Sequence, residues 1–127
     1  MTPQVVAGVL ANGWEALPFE PFRPGVRIHH LWRDDQGGPA WAILRYEPGA
    51  SVPRHRHPGL ETILVLAGSQ SDEHGIYRAG DMVCNAPGSC HAVHSDEGCA
   101  VLIFWERPVE ILGEDAQERI GLGIEGA

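Results

Sequence analysis

Three residues with metal-ligand chemistry stand close together in the sequence: His55, His57 and Glu61. They are separated by two and four positions, and the side chains of an extended chain alternate between its two faces. His55 and His57 should therefore point to the same side, and Glu61 has the same parity. Imidazole nitrogens and carboxylate oxygens are common ligands of divalent metals. The spacing thus indicates a metal site on one face of a sheet.

The alternative interpretation is that His55 and His57 are surface residues of an arginine-rich loop between two prolines, because histidine has many roles besides metal binding. Glu61 favours the metal site. It leads into the apolar run Thr62–Ala67, and a carboxylate is costly to bury without a partner. We expect that run to be a buried strand that ends at Gly68.

The composition bounds the fold and the function classes. The chain has 127 residues, 16 glycines and 10 prolines, which is typical of one small all-β domain with many turns. All nine positive residues are arginines, so lysine Schiff-base chemistry is excluded. The formal charge of −8 argues against nucleic acid and anionic membranes as partners. Because membrane-spanning and signal-like runs are absent and the cysteine count is odd, we expect a cytoplasmic protein with reduced thiols.

Short apolar runs separated by glycine- and proline-containing turns predict eight to ten strands in a sandwich or barrel. The clearest predicted strands are Val26–Arg33, Ala40–Tyr46, Ser69–Glu73, Met82–Asn85, Cys90–His94 and Cys99–Trp105.

The ends of the chain are less regular. We expect residues 1–25 to form an arm, in which residues 1–12 could be an edge strand and residues 14–25 an extended lid. The barrel should then span residues 26–108 of a single domain covering residues 1–127, and residues 116–120 could form one helical turn. The four tryptophans and three cysteines are expected mainly in the core.

Two segments carry a resemblance to a known family. The pattern Gly49-x5-His55-x-His57-x3-Glu61-x6-Gly68 matches the first cupin motif at every anchor. The second motif aligns with Gly80, Ala86, Gly88, His91 and Ser95, where Ala86 replaces proline and Ser95 replaces asparagine. The resemblance implies an all-β double-stranded β-helix, a jelly-roll barrel, with a divalent metal held by His55, His57, Glu61 and His91. His91 enters the ligand set only through this resemblance.

A narrower resemblance covers roughly residues 14–105. The strings His-Arg-His-Pro-Gly-x-Glu, Ser-Asp-Glu-His-Gly-x-Tyr and Ala-Pro-Gly-Ser-x-His look like those of ChrR-type cupins. That group includes the cupin domain of a zinc-binding anti-sigma factor and is similar to acetylacetone-cleaving dioxygenases. The separate zinc-binding domain of the anti-sigma factors has no counterpart in residues 1–48, so a stand-alone anti-sigma factor is not expected.

Two other histidines, His74 and His94, are not expected to bind the metal. His74 lies in a predicted turn, where a surface role is expected. His94 follows His91 by three positions, so a regular strand would point it away from the metal.

Three functions remain open from the sequence. The first is a dioxygenase that uses Fe(II), Mn(II) or Ni(II) on a small oxygenated molecule such as a β-dicarbonyl, with Glu61 as fourth ligand or catalytic base. The second is a sensory or small-ligand-binding module without turnover. The third is a barrel that a Zn(II) ion only stabilises. Because residues 14–24 carry many apolar side chains, we also expect a homodimer.

Overall fold

The computed structural model describes residues 1–112 and 124–126. Two 3-10 turns, Val9–Ala11 and Gly13–Ala16, precede the strands. The strands are β1 (Glu20–Arg23), β2 (Val26–Arg33), β3 (Ala40–Tyr46), β4 (Ser51–Arg56), β5 (Glu61–Asp72), β6 (Gly75–Arg78), β7 (Met82–Asn85), β8 (Cys90–His94), β9 (Cys99–Trp105), β10 (Glu110–Leu112) and β11 (Ile124–Gly126). Within the described residues no helix has the length and apolar character needed to cross a membrane.

All strand pairings are antiparallel, and the strand order is β1-β2-β3-β9-β5-β8-β4-β10-β11. Strand β5 belongs to both halves of this curled sheet. Its first part pairs with β7 and β9, and its second part pairs with β6 and β8. The result is an all-β jelly roll with one apolar core between the two halves, as the sequence predicts.

Strand β5 differs from its prediction, because it does not end at Gly68. It continues to Asp72 through an irregularity between Val65 and Ala67. Gly68 has a φ of +70°, and a Cβ at this position would meet the carbonyl oxygen of Gly98. The glycine therefore lets the strand bend from one half of the sheet into the other, where a turn had been expected.

The core side chains alternate along the strands as the pleat requires. Those that fill the interior include Ile28, Leu44, Val52, Ile63, Val65, Val93, Val101 and Ile103. A second apolar cluster lies on the outer face of β3 and β9, where Trp14 covers Ile43 and Ala100. Because this arm buries the outer face as well, β3 reads as a nearly continuous apolar run.

The arm is only partly as predicted. Trp14 lies in a 3-10 turn that ends before Pro18, whereas an extended segment was expected, and residues 1–12 contain no strand. The extended part is confined to β1, which pairs with β2. The expected helical turn at residues 116–120 lies outside the described residues.

The expectation of a tryptophan- and cysteine-rich core is wrong in part. Trp14 and Trp105 are buried, but Trp32 and Trp41 are 56% and 43% exposed. These two residues are register partners on the outer face of β2 and β3, beyond the reach of the arm. Among the cysteines, Cys99 is buried, Cys90 half-buried and Cys84 exposed, and all three are free thiols.

Candidate metal centre

Four buried side chains meet inside the barrel, and they are the four that the motifs indicated. His55 on β4 and His91 on β8 are direct register partners across the sheet. His57 follows the end of β4, and Glu61 is the first residue of β5. Each is at most 4% exposed, and their ligand atoms all lie within 4.8 Å of one another. This cluster could bind one metal ion.

The three imidazole rings are packed edge to face. Their centroids are 5.0 Å apart for His55 and His57, 4.6 Å for His55 and His91, and 4.7 Å for His57 and His91. The interplanar angles lie between 69° and 90°. Each ring also offers one nitrogen to the group of ligand atoms that lie within 4.8 Å of one another, as a shared metal ion requires.

Each ring uses its Nδ1 in a hydrogen bond away from that centre. His55 Nδ1 is 2.9 Å from the carbonyl oxygen of Pro53, and His91 Nδ1 is 2.9 Å from Oδ2 of Asp72. Both partners only accept, so both Nδ1 atoms carry the proton. His57 Nδ1 lies 3.0 Å from Oγ of Ser89, whose hydroxyl donates to the carbonyl oxygen of Ala86 at 2.6 Å. His57 Nδ1 therefore donates as well.

With Nδ1 protonated, a neutral imidazole has its lone pair on Nε2. The Nε2 atoms of His57 and His91 are buried, and no hydrogen-bond partner for either lies among the described residues. They lie 3.1 Å and 3.8 Å from Oε1 of Glu61. Lone pairs and a carboxylate oxygen facing one another in a dry interior repel unless a cation or protons lie between them. A divalent metal ion fits this donor set.

Glu61 is held in place by two further side chains. The indole N–H of Trp105 donates to Oε2 at 2.8 Å, and the amide of Asn85 donates to Oε1 at 3.1 Å. Burial by itself would raise the pKa of Glu61, but the neighbouring imidazoles, with His57 contributing most, hold the pKa below its ordinary value. The carboxylate is thus charged and oriented.

The protonation of His55 also suits a metal ligand. Burial lowers the pKa of this imidazole to about 4. A metal ligand must be unprotonated, so His55 is ready to bind at neutral pH without losing a proton.

The other histidines lie outside the cluster. His74 and His94 are both exposed, as their positions in the sequence predict, and His94 Nε2 is 3.7 Å from the carboxylate of Asp96. The sequence does not predict the residues that orient the cluster through hydrogen bonds, which are Asp72, Asn85, Ser89 and Trp105. Ser89 could have been noticed, because it shares the parity of His91 two positions later.

One cavity adjoins the cluster, and a second cavity shares part of its lining. The inner one, of about 30 Å³, is bounded by His55, Glu61 and His91, by apolar core residues and by the polar side chains of Arg23, Tyr46 and Gln70. It has room for about one water molecule. The outer one, of about 190 Å³, opens at the barrel mouth. Three residues line both cavities: Phe22, Trp105 and Val109. A ligand on the metal would therefore face the inner cavity.

Known structures share this fold. The chain is 18% identical to an RmlC-like cupin protein from Ralstonia eutropha JMP134, with a TM-score of 0.76 and coverage of 99% of this chain and 80% of that one. It is 15% identical to an acetylacetone dioxygenase from Acinetobacter johnsonii, with a TM-score of 0.73 and coverage of 85% and 78%. At these identities the similarity concerns the fold alone.

A higher identity, 29%, relates the chain to the anti-sigma ChrR structure, in complex with SigE, from Rhodobacter sphaeroides. The TM-score is 0.63, and the match covers 72% of this chain but 49% of that chain, so this chain spans about half its length. Among curated protein sequences, none is significantly similar. A family model described as a ChrR cupin-like domain matches residues 10–109. Because that match covers most of the sequence and the fold and buried cluster agree with it, the chain belongs to the ChrR cupin-like domain family.

Proposed function

We propose that this protein is a metal-dependent dioxygenase acting on a small oxygenated molecule, with His55, His57, Glu61 and His91 holding one divalent ion. The observation that carries this proposal is the set of imidazole Nε2 atoms and one oriented carboxylate that meet beside an interior cavity. A metal bound there would supply Lewis acidity and a position for oxygen or an enolate. The protein supplies a dry, shaped site.

Four protein ligands would leave two positions on an octahedral ion, and the inner cavity is lined by three of the four ligand residues, His55, Glu61 and His91. This favours Fe(II), Mn(II) or Ni(II), since a tetrahedral Zn(II) would be closed by four ligands. Trp105 and Asn85 tie down both oxygens of Glu61. A base that swings away from the metal would have to break these bonds. We therefore assign Glu61 mainly as a metal ligand. If it also acts as a base, it does so without leaving the position in which Trp105 and Asn85 hold it.

The relatives indicate where to begin with substrates. One similar structure is an acetylacetone dioxygenase, so β-dicarbonyl compounds are the first candidates. Such compounds exceed the inner cavity, and they would have to extend past Phe22, Trp105 and Val109 into the outer one.

The second candidate function is a sensory or ligand-binding module without turnover. The 29% identity to the ChrR structure favours it. This module would bind metal and ligand through the same residues but would consume no oxygen.

Elemental analysis of the protein as purified, followed by oxygen uptake after anaerobic Fe(II) loading, separates these functions. We expect about one metal per chain, loss of that metal in H91A, and its retention in the matched control H94A. Loss of metal in folded H94A would contradict the ligand assignment. With one Fe(II) per chain verified, no oxygen consumption with a panel of β-dicarbonyls would leave the binding module as the function.

A substitution at Glu61 tests whether the site is open or closed. In E61Q the amide oxygen is needed to accept from Trp105, so the ion keeps only three imidazoles. We expect E61Q to retain Fe(II) at saturating metal but to change turnover and its pH dependence. In a closed zinc site the same change would lower affinity by orders of magnitude, and metal titration monitored by a competing chelator would reveal this.

The assembly is proposed to be a homodimer, but for another reason than the sequence suggested. Trp14 of the arm is buried against its own barrel. One exposed apolar patch is instead formed by Trp32 and Trp41 together with the half-buried Phe104, and the ring centroids of Trp41 and Phe104 are 5.0 Å apart. Exposed aromatic rows of this kind are typical of association surfaces. Sedimentation equilibrium at micromolar concentration would show a monomer if this is wrong.

A further inference from the structure

The outer cavity at the barrel mouth has both apolar and polar lining residues. The apolar ones include Phe22, Trp105, Pro108 and Val109, and the polar ones are His30, Arg33 and Asp34. Its volume of about 190 Å³ corresponds to roughly six water molecules at about 30 Å³ each. A molecule of about that many non-hydrogen atoms would fill it, with an apolar body against the aromatic rings and a polar end towards the mouth.

A β-bulge places Arg33 on this cavity. In a regular strand, His30 and Arg33 would face opposite sides of the sheet, because three positions separate them. The pairing of β2 with β3 shifts between His30 and Trp32, so that Arg33 pairs with Ala40 and both lie on the cavity side. Bulges that turn a side chain in this way are common beside functional sites.

The charges at the mouth favour an anionic ligand. Within the described residues, no carboxylate oxygen forms an ion pair with Arg33. Asp34 also lines the cavity, and its Oδ2 accepts the backbone N–H groups of Gln36 at 3.2 Å and Gly38 at 3.1 Å instead of pairing with Arg33. Burial and the charge of Arg33 lower the pKa of His30, which leaves a neutral imidazole able to donate one hydrogen bond. A carboxylate would satisfy both Arg33 and His30.

We propose that the outer cavity is the carboxylate-binding part of the substrate site, so that the substrate is a small keto or enol carboxylate with its oxygenated carbon end towards the metal centre. This inference rests on the proposed function, since it takes the metal centre as the place of reaction. Phe22, Trp105 and Val109, which line both cavities, form the passage between the two ends. The inner cavity alone is too small for such a molecule.

The test compares two ligands of the same size. In acetoacetate a carboxylate replaces one of the two acetyl groups of acetylacetone. The two molecules have equal numbers of non-hydrogen atoms. Binding to Ni(II)-loaded protein without oxygen would be measured by calorimetry. We expect acetoacetate to bind at least about tenfold more tightly, because only its carboxylate can form an ion pair with Arg33.

The variant R33Q should abolish this preference by weakening acetoacetate binding about tenfold while leaving acetylacetone binding unchanged. The matched control is R27Q, which removes the same charge from an exposed position of the same strand that lines neither cavity. It should behave like the original protein.

Two outcomes would overturn the inference. If R33Q keeps the preference for acetoacetate, the outer cavity does not bind the carboxylate, although binding of both ligands would still support a substrate site at the metal. If neither ligand binds to protein that holds one Ni(II) per chain, the substrate class is wrong. Oxygen uptake by the Fe(II)-loaded protein with other β-dicarbonyls then decides the proposed function separately.

Discussion

The hydrogen bond between Asp72 and His91 offers the sharpest test of how the metal centre is built. Asp72 is 2% exposed at its side chain, and its Oδ2 accepts from His91 Nδ1 at 2.9 Å. Its Oδ1 accepts from the Tyr77 hydroxyl and from the His74 backbone N–H, both at 2.8 Å. Burial by itself would raise the pKa of Asp72, but these donors hold it below its ordinary value, so the carboxylate stays charged.

The substitution D72N changes which atoms can accept. An asparagine has one acceptor oxygen, whereas Asp72 uses two that receive donors on opposite sides. If the amide nitrogen faces His91, two donors oppose each other, and His91 is driven to the tautomer whose proton lies on Nε2. That proton occupies the lone pair meant for the metal. If the amide nitrogen faces the other side, it opposes the N–H of His74 instead.

Loss of such a partner of a histidine ligand typically lowers metal affinity 10- to 100-fold, or by about 1.4 to 2.8 kcal/mol. We expect D72N to fall in this range when metal affinity is measured by competition with a chromophoric chelator. The matched control is E73Q, which removes the neighbouring carboxylate, 41% exposed and paired with Arg54 at 2.7 Å. It should leave metal affinity unchanged.

Circular dichroism and the melting temperature of the metal-free variants would verify that both fold. If folded D72N binds metal within about threefold of the original protein, well short of the usual effect of such a loss, Asp72 does not set the tautomer of His91.

Two further predictions concern the cysteines and the bend in β5. At pH 8 a thiol reagent should label exposed Cys84 quickly and buried Cys99 slowly. Burial raises the pKa of Cys99 to about 11, so that roughly 0.1% of this thiol is thiolate at pH 8. Mass mapping that finds Cys99 labelled first would contradict its burial. G68A should lower the free energy of unfolding by more than about 1 kcal/mol, because φ is +70° and the added Cβ meets the carbonyl oxygen of Gly98. G37A, also at positive φ but with open space around it, is the control that separates the clash from the backbone strain in a denaturant titration.

The sequence by itself predicts most strands and the members of the cluster. The bounds of β2, β3, β7, β8 and β9 agree with the predicted runs. Strands are visible in sequence because alternation and turn residues are local properties of the chain. The parity of His55, His57 and Glu61 is local too. The fourth member, His91, was predicted only through the cupin resemblance, because the pairing of β4 with β8 brings His91 next to His55, which lies 36 positions earlier.

Features that depend on packing between distant segments were decided only by the tertiary structure. Trp32 and Trp41 look like core residues until the arm is seen to cover only part of the outer face of the sheet. Gly68 looks like a terminator until β5 is seen to serve both halves of the sheet.

The orientation of the metal ligands and the lining of the outer cavity also depend on packing between distant segments. Asp72 meets His91 because β5 and β8 are neighbours, and no local pattern relates an aspartate to a histidine 19 positions later. Arg33 faces the cavity because one bulge against β3 reverses its side. Composition and spacing determine which chemical groups are present in the chain and which face of a regular strand each side chain occupies. Strand pairing, bends and bulges decide which of them meet.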